Sequence, residues 1–129
     1  MRLILIVLFS LLLPLQALAH AQLRGSNPAE GAVVTQSPTV MTLEFNEPVS
    51  PLVLRLIEPD GTATDIKGAA ENETLTAITP NDLSRGTHLL SWRVVSDDGH
   101  PVGGTLTFHV GAPSSLPTIT TERATASAW

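Results

Sequence analysis

The chain has 129 residues, a length that suits one domain, with 7 basic and 12 acidic side chains and a formal net charge of −5 at neutral pH. That balance argues against nucleic acid or an anionic membrane surface as a partner and makes a cation the more natural ligand. Cysteine is absent, so disulfides and thiolate metal sites are both excluded.

The first predicted element is a secretory signal peptide over residues 1–19. Arg2 gives a positive start, Leu3 to Leu13 is apolar except for Ser10, Pro14 breaks the run, and Ala17-Leu18-Ala19 has the small-x-small form of a peptidase site. The apolar run is too short to span a bilayer comfortably. Cleavage after Ala19 makes His20 the first residue of the exported chain. Ala19-His20-Ala21 is a second small-x-small match, and cleavage there would instead start the chain at Gln22.

Short strands separated by Gly, Pro, Asn and Asp follow. Weaker strands are expected over 21–25, 62–66 and 73–78. Stronger ones show period-two alternation, which puts one set of side chains on a core face and the other toward solvent. Met41, Leu43 and Phe45 form one such set; Leu52, Leu54 and Leu56 the next; then Leu90, Trp92 and Val94; then Leu106, Phe108 and Val110. Asp60-Gly61 suits a tight hairpin turn. No segment of 20–129 keeps a helical period. About seven short strands predict an all-β Greek-key sandwich or barrel over residues 20–111. Residues 112–129, rich in Ser, Thr, Pro and Ala, read as a flexible tail.

Four histidines are present. His109 falls on the polar side of its strand, and His88, near a strand start after Gly86, reads as a surface residue; both are left out of the candidate site. His20, as a free N-terminus, would offer its α-amine and its imidazole Nδ1 to one metal and close a chelate ring. The amine titrates near pH ~8 and imidazole near ~6.5, so a metal displaces both protons at neutral pH. Asp98-Gly99-His100-Pro101 supplies a carboxylate and an imidazole two residues apart, a spacing that points both to one side in extended backbone. Each half has a plain alternative: an arbitrary first residue, or an Asp-Gly turn beside a surface histidine. Together they give three nitrogens and one oxygen, a set that suits Cu(II) in tetragonal geometry, with zinc as the main competitor.

Several ordered motifs resemble the CopC family of periplasmic copper-binding proteins, which adopt a small Greek-key β-sandwich or barrel. They are His20-Ala21-x-Leu23; Ser26-x-Pro28-Ala29-x-Gly31-Ala32; Leu43-x-Phe45-Asn46-Glu47-Pro48-Val49; Ser91-Trp92-Arg93-Val94-Val95-Ser96; Asp98-Gly99-His100-Pro101-Val102-x-Gly104; and Phe108-x-Val110. The resemblance spans His20 to about Val110. It implies a Cu(II) site made of the His20 amine and imidazole, Asp98 and His100, with Glu47 as a carboxylate behind the ligands near the amine. Some members also bind Cu(I) through methionines. Met41 is the one methionine after the signal peptide and falls on the expected core face, so a Cu(II)-only member is implied. No membrane-spanning pattern follows Val110, so a free-standing binding protein is expected. A monomer is expected as well, and the resemblance points to an inner-membrane copper transporter of the CopD type as a partner.

The leading expectation is therefore a periplasmic Cu(II)-binding protein of copper resistance or homeostasis, and not an enzyme. Two other readings stand beside it. One is a histidine-brace copper oxidoreductase, in which Asp98 would fill the position oxygen needs. The other is a metal-free sandwich that recruits a protein partner.

Overall fold

The computed structural model describes residues 20–116. The expected signal peptide and residues 117–129 of the expected tail lie outside the described residues. Among the described residues, nine strands form two sheets: β1 Leu23–Asn27, β2 Val33–Val34, β3 Val40–Phe45, β4 Val49–Ile57, β5 Ala63–Asp65, β6 Gly68–Glu71, β7 Thr74–Ile78, β8 Gly86–Ser96 and β9 Pro101–Val110. One sheet has the order β1-β3-β7-β6 and the other β2-β9-β8-β4-β5. Every pairing is antiparallel except β2 with β9. This is an all-β sandwich, as the alternation predicted.

The two sheets meet through the alternating sets. Met41, Leu43, Phe45, Leu75 and Ala77 face inward from the first sheet; Leu54, Leu56, Leu90, Trp92, Val94, Leu106 and Phe108 face inward from the second. Phe45 and Trp92 meet edge to face across the sheets with ring centroids 5.3 Å apart, a geometry that aligns one ring's positive edge with the other's negative face. Gly104 stands beside the Trp92 ring. A Cβ there would lie 2.5 Å from Trp92 Cζ2, so the absent side chain is what admits the indole.

The structure departs from the sequence pattern at defined places. The alternation gives no sign of β2, only two residues long, or of β6, whose Gly68-Ala69-Ala70-Glu71 lacks branched or aromatic residues. Leu52 was expected inside with Leu54 and Leu56 but is 54% exposed. A register shift between Pro51 and Val53 inserts a residue and reverses the facing on one side of the bulge. The expected turn at Asp60-Gly61 does form: Gly61 N–H donates to the Glu58 carbonyl at 2.8 Å, and Gly61 takes φ 88°.

His88 is the clearest correction. It was read as a surface residue and is fully buried, stacked on Phe108 with ring centroids 5.3 Å apart. Its parity explains this: His88 lies in step with Leu90, Trp92 and Val94 on β8, and one strand cannot turn a single member of that row outward. The segment after β9 is also held in part. Thr87 N–H donates to Ser114 Oγ, and Ser114 N–H to Thr87 Oγ1, each at 2.8 Å. Thr87 Oγ1 also meets His109 Nδ1 at 2.9 Å.

Candidate metal centre

Strand registers decide which ends of the strands meet. Leu23 at the start of β1 pairs with Phe45 at the end of β3. Val49 at the start of β4 pairs with Ser96 at the end of β8. The three-residue connector Asn46–Pro48 joins β3 to β4 and so bridges the two sheets at this end. The segment entering β1, which carries His20, and the loop leaving β8, which carries Asp98 and His100, are therefore neighbours, although 78 positions separate Asp98 from His20.

The loop from Ser96 to Pro101 is a tight turn, not the extended backbone the spacing had implied. Gly99 N–H donates to the Ser96 carbonyl at 2.9 Å, and Ser96 N–H donates to the His100 carbonyl at 3.2 Å. Gly99 has φ 84°, a left-handed conformation that an L side chain would strain. Asp98 and His100 still end on one side, because the carboxylate ties them. His100 N–H donates to Asp98 Oδ1 at 3.0 Å, and His100 Nδ1 lies 3.0 Å from Asp98 Oδ2. The Ser96 hydroxyl also donates to Asp98 Oδ1, and Ser96 itself is buried. Ser96 continues the inward row of β8 two residues beyond Val94, so the same parity that buries His88 aims this hydroxyl at the loop.

These hydrogen bonds, led by the one from Ser96 and followed by those from the His100 ring and backbone, hold the Asp98 carboxyl well below the usual carboxylate range. Asp98 is thus an anion across the neutral pH range. A carboxylate only accepts hydrogen bonds, so the proton of the His100 ring sits on Nδ1, and Nε2 carries the free lone pair of the neutral form.

His20 completes the group. Its ring lies edge-on to His100, with centroids 5.2 Å apart and planes at 84°. His20, Asp98 and His100 each offer one ligand atom, and these atoms lie within 4.8 Å of one another. All three residues are exposed, so an ion would reach them from solvent without a gate. A donor set of imidazole and carboxylate at such spacing fits a first-row divalent metal. Glu47 is half-buried in the connector. Among the described residues it forms no side-chain hydrogen bond or ion pair; its neighbour Asn46 does. Gln22 N–H donates to Asn46 Oδ1 at 2.7 Å, and Asn46 N–H donates to the Gln22 carbonyl at 3.1 Å. Sequence reasoning placed Asn46 in a motif and gave it no role. His88 and His109 lie apart from the group: His88 near the start of β8, and His109 near the end of β9, opposite Thr87.

The described residues thus form a small all-β sandwich with an exposed histidine–aspartate–histidine cluster, a candidate metal centre, at one end. The CopC domain model matches residues 23–111, and the chain belongs to the CopC family. Asp98 and His100 fall inside the matched span; His20 lies three residues before it. Copper resistance protein C of Xanthomonas campestris pv. juglandis is 33% identical over 105 residues, covering 73% of this chain and 82% of that protein. The copper transport protein CutJ of Bacillus subtilis is 29% identical over 114 residues, 84% of this chain; the chain spans only 21% of that protein's length. Among solved structures, CopC from Methylosinus trichosporium OB3b superposes with a TM-score of 0.63 at 30% identity, covering 74% of this chain and 97% of that one. PcoC of Escherichia coli, a methionine-rich copper resistance protein, gives 0.59 at 26% identity, covering 71% and 99%.

These relatives are named for copper resistance and copper transport, not for an enzymatic activity, as the sequence reading expected. Against the methionine-rich PcoC, the present chain offers no surface thioether among its described residues: Met41 is fully buried in the core.

Proposed function

We propose that this protein is exported to the periplasm, loses residues 1–19, and binds one Cu(II) ion for copper resistance or homeostasis. The ligands are the α-amine and imidazole of His20, the Asp98 carboxylate and the His100 imidazole. The observation that carries this reading is the meeting of His20, Asp98 and His100 within 4.8 Å at one end of the sandwich. Membership of a family whose relatives are named for copper resistance supports copper as the ion.

The chemistry of each group supports Cu(II) over Cu(I). Amine, imidazole and carboxylate are nitrogen and oxygen donors, which favour the divalent ion, whereas Cu(I) favours sulfur. The low carboxyl pKa of Asp98 means that metal need not displace a proton there. Protons compete with the metal for the amine and the two imidazoles, so affinity falls as pH falls. Residues 20–111 act as the binding domain, and the segment that follows stays tied to it through Ser114 and Thr87. A membrane copper transporter of the CopD type is the partner to which bound copper would pass.

The test is export of the full chain followed by intact mass and Cu(II) titration. The expected result is the mass of residues 20–129 and one tightly bound Cu(II) with a tetragonal, nitrogen-rich electron paramagnetic resonance spectrum. A mature form starting at Gln22, or no such spectrum, overturns the reading. Oxidation of added reductant or polysaccharide by the loaded protein would instead favour a histidine-brace oxidoreductase.

A further inference from the structure

The regular β1–β3 ladder begins only at Leu23, opposite Phe45. Residues 20–22 precede it, and an unpaired terminal segment of this kind ordinarily frays. A frayed segment would present His20 to Asp98 and His100 only part of the time, and the ordering cost would be subtracted from metal affinity. Two features oppose fraying. The Ala21 side chain is 1% exposed, tucked into the core cluster. Next to it, Asn46 grips both polar groups of the Gln22 backbone: its Oδ1 accepts the Gln22 N–H at 2.7 Å, and its own N–H donates to the Gln22 carbonyl at 3.1 Å. The amide side chain thus stands in for a strand carbonyl and prolongs the pairing one residue past the ladder's end.

Asn46 is the first residue of the connector that joins the two sheets between the His20 segment and the Ser96–His100 loop. We propose that Asn46 is a positioning residue for metal capture: it locks Gln22 so that His20, two residues upstream, is held toward Asp98 and His100 before any metal arrives. This inference rests on the Cu(II) reading above. Ala21 fixes how deep the segment sits, and Asn46 fixes its direction. Aspartate at 46 would keep the accepting oxygen, whereas alanine would remove it and leave the Gln22 N–H to water.

The experiment compares the mature parent (residues 20–129) with Asn46→Ala and Asn46→Asp. Asn46 is exposed, so both variants should melt within a few degrees of the parent. In the metal-free state, exchange of the Gln22 amide should quicken about 10-fold in Asn46→Ala and return toward the parent rate in Asn46→Asp. Cu(II) affinity should fall about 10-fold in Asn46→Ala, with a fraction of the signal losing nitrogen hyperfine structure, and stay within about 3-fold of the parent in Asn46→Asp. A merely structural role would change the melt and leave the copper spectrum alone. A parent that binds Cu(II) while Asn46→Ala matches it in affinity and spectrum overturns this inference alone. A parent that binds no Cu(II) overturns the functional reading, and this inference with it.

Discussion

His88 and His100 sit near opposite ends of one hairpin, β8 and β9, and share nothing but their side chain. His88 is fully buried against Phe108, with Nδ1 donating to the Gly86 carbonyl at 3.1 Å and Nε2 buried without a partner among the described residues. Burial out of water disfavours its charged form and lowers its pKa, with the Gly86 hydrogen bond and the Glu58 charge opposing. His100 is half exposed at the hairpin tip, tied to an ionised carboxylate and open to solvent. Packing converts the first into a core ring that no ion can reach. The second keeps a lone pair free and an anion beside it. Whether a histidine can serve as a ligand is decided by which end of the strand it occupies, and not by its type.

The widest separation between these regions should appear in stability. Phe108→Ala removes a fully buried ring from beneath His88 and should cost about 3–5 kcal/mol in urea unfolding, while the molecules that remain folded should bind Cu(II) almost as before. Truncation at the tip should do the reverse. Loss of an outer partner of a ligand costs roughly 10–100-fold in affinity, so His100→Ala, which deletes a ligand, should cost at least about 100-fold. Its unfolding midpoint should shift little, since the removed ring is exposed. If His100→Ala unfolds the protein, or Phe108→Ala abolishes copper binding without unfolding it, the two regions are not independent.

Two smaller effects sharpen the contrast. Gly104→Ala would drive a methyl against the Trp92 indole and should destabilise by about 1–3 kcal/mol; an unfolding midpoint equal to the parent's would show that the indole can shift freely. The smallest effect is the pH dependence carried by His88. Its native pKa lies below the ordinary ~6.5 of the unfolded chain, so the unfolded state binds the proton first. Its contribution is therefore fully present above about pH 6.5 and is lost as pH falls toward the lowered native value. The slope from this one group is at most about 1.4 kcal/mol per pH unit. His88→Phe should flatten the stability profile just below pH 6.5, and a slope equal to the parent's would assign the dependence elsewhere.

Much of the fold is legible in the sequence. The inward rows Met41-Leu43-Phe45, Leu90-Trp92-Val94 and Leu106-Phe108-Val110 are read from parity alone. The same parity, carried two residues further each way along β8, would have placed His88 and Ser96 inside. Residue type obscured them: a histidine after a glycine and a serine before two aspartates both look like surface. Leu52 could not be placed, because a bulge leaves no mark in a row of alternating apolar residues. The three candidate ligands were named from the sequence, whereas the hydrogen bonds of Ser96 to Asp98 and of Asn46 to Gln22 were not. A polar side chain's partner depends on what folds against it.

The sequence by itself determined that this chain is an all-β sandwich, since period-two burial is a local property of each strand. It also determined which donor types the chain can offer, since cysteine is absent and the one methionine after the expected signal peptide falls in an apolar row. Only the tertiary structure decided that His20 meets Asp98 and His100. That meeting follows from the pairings Leu23–Phe45 and Val49–Ser96 with the short connector between them. These long-range contacts are fixed by burying two sheets against each other, and no stretch of sequence contains them.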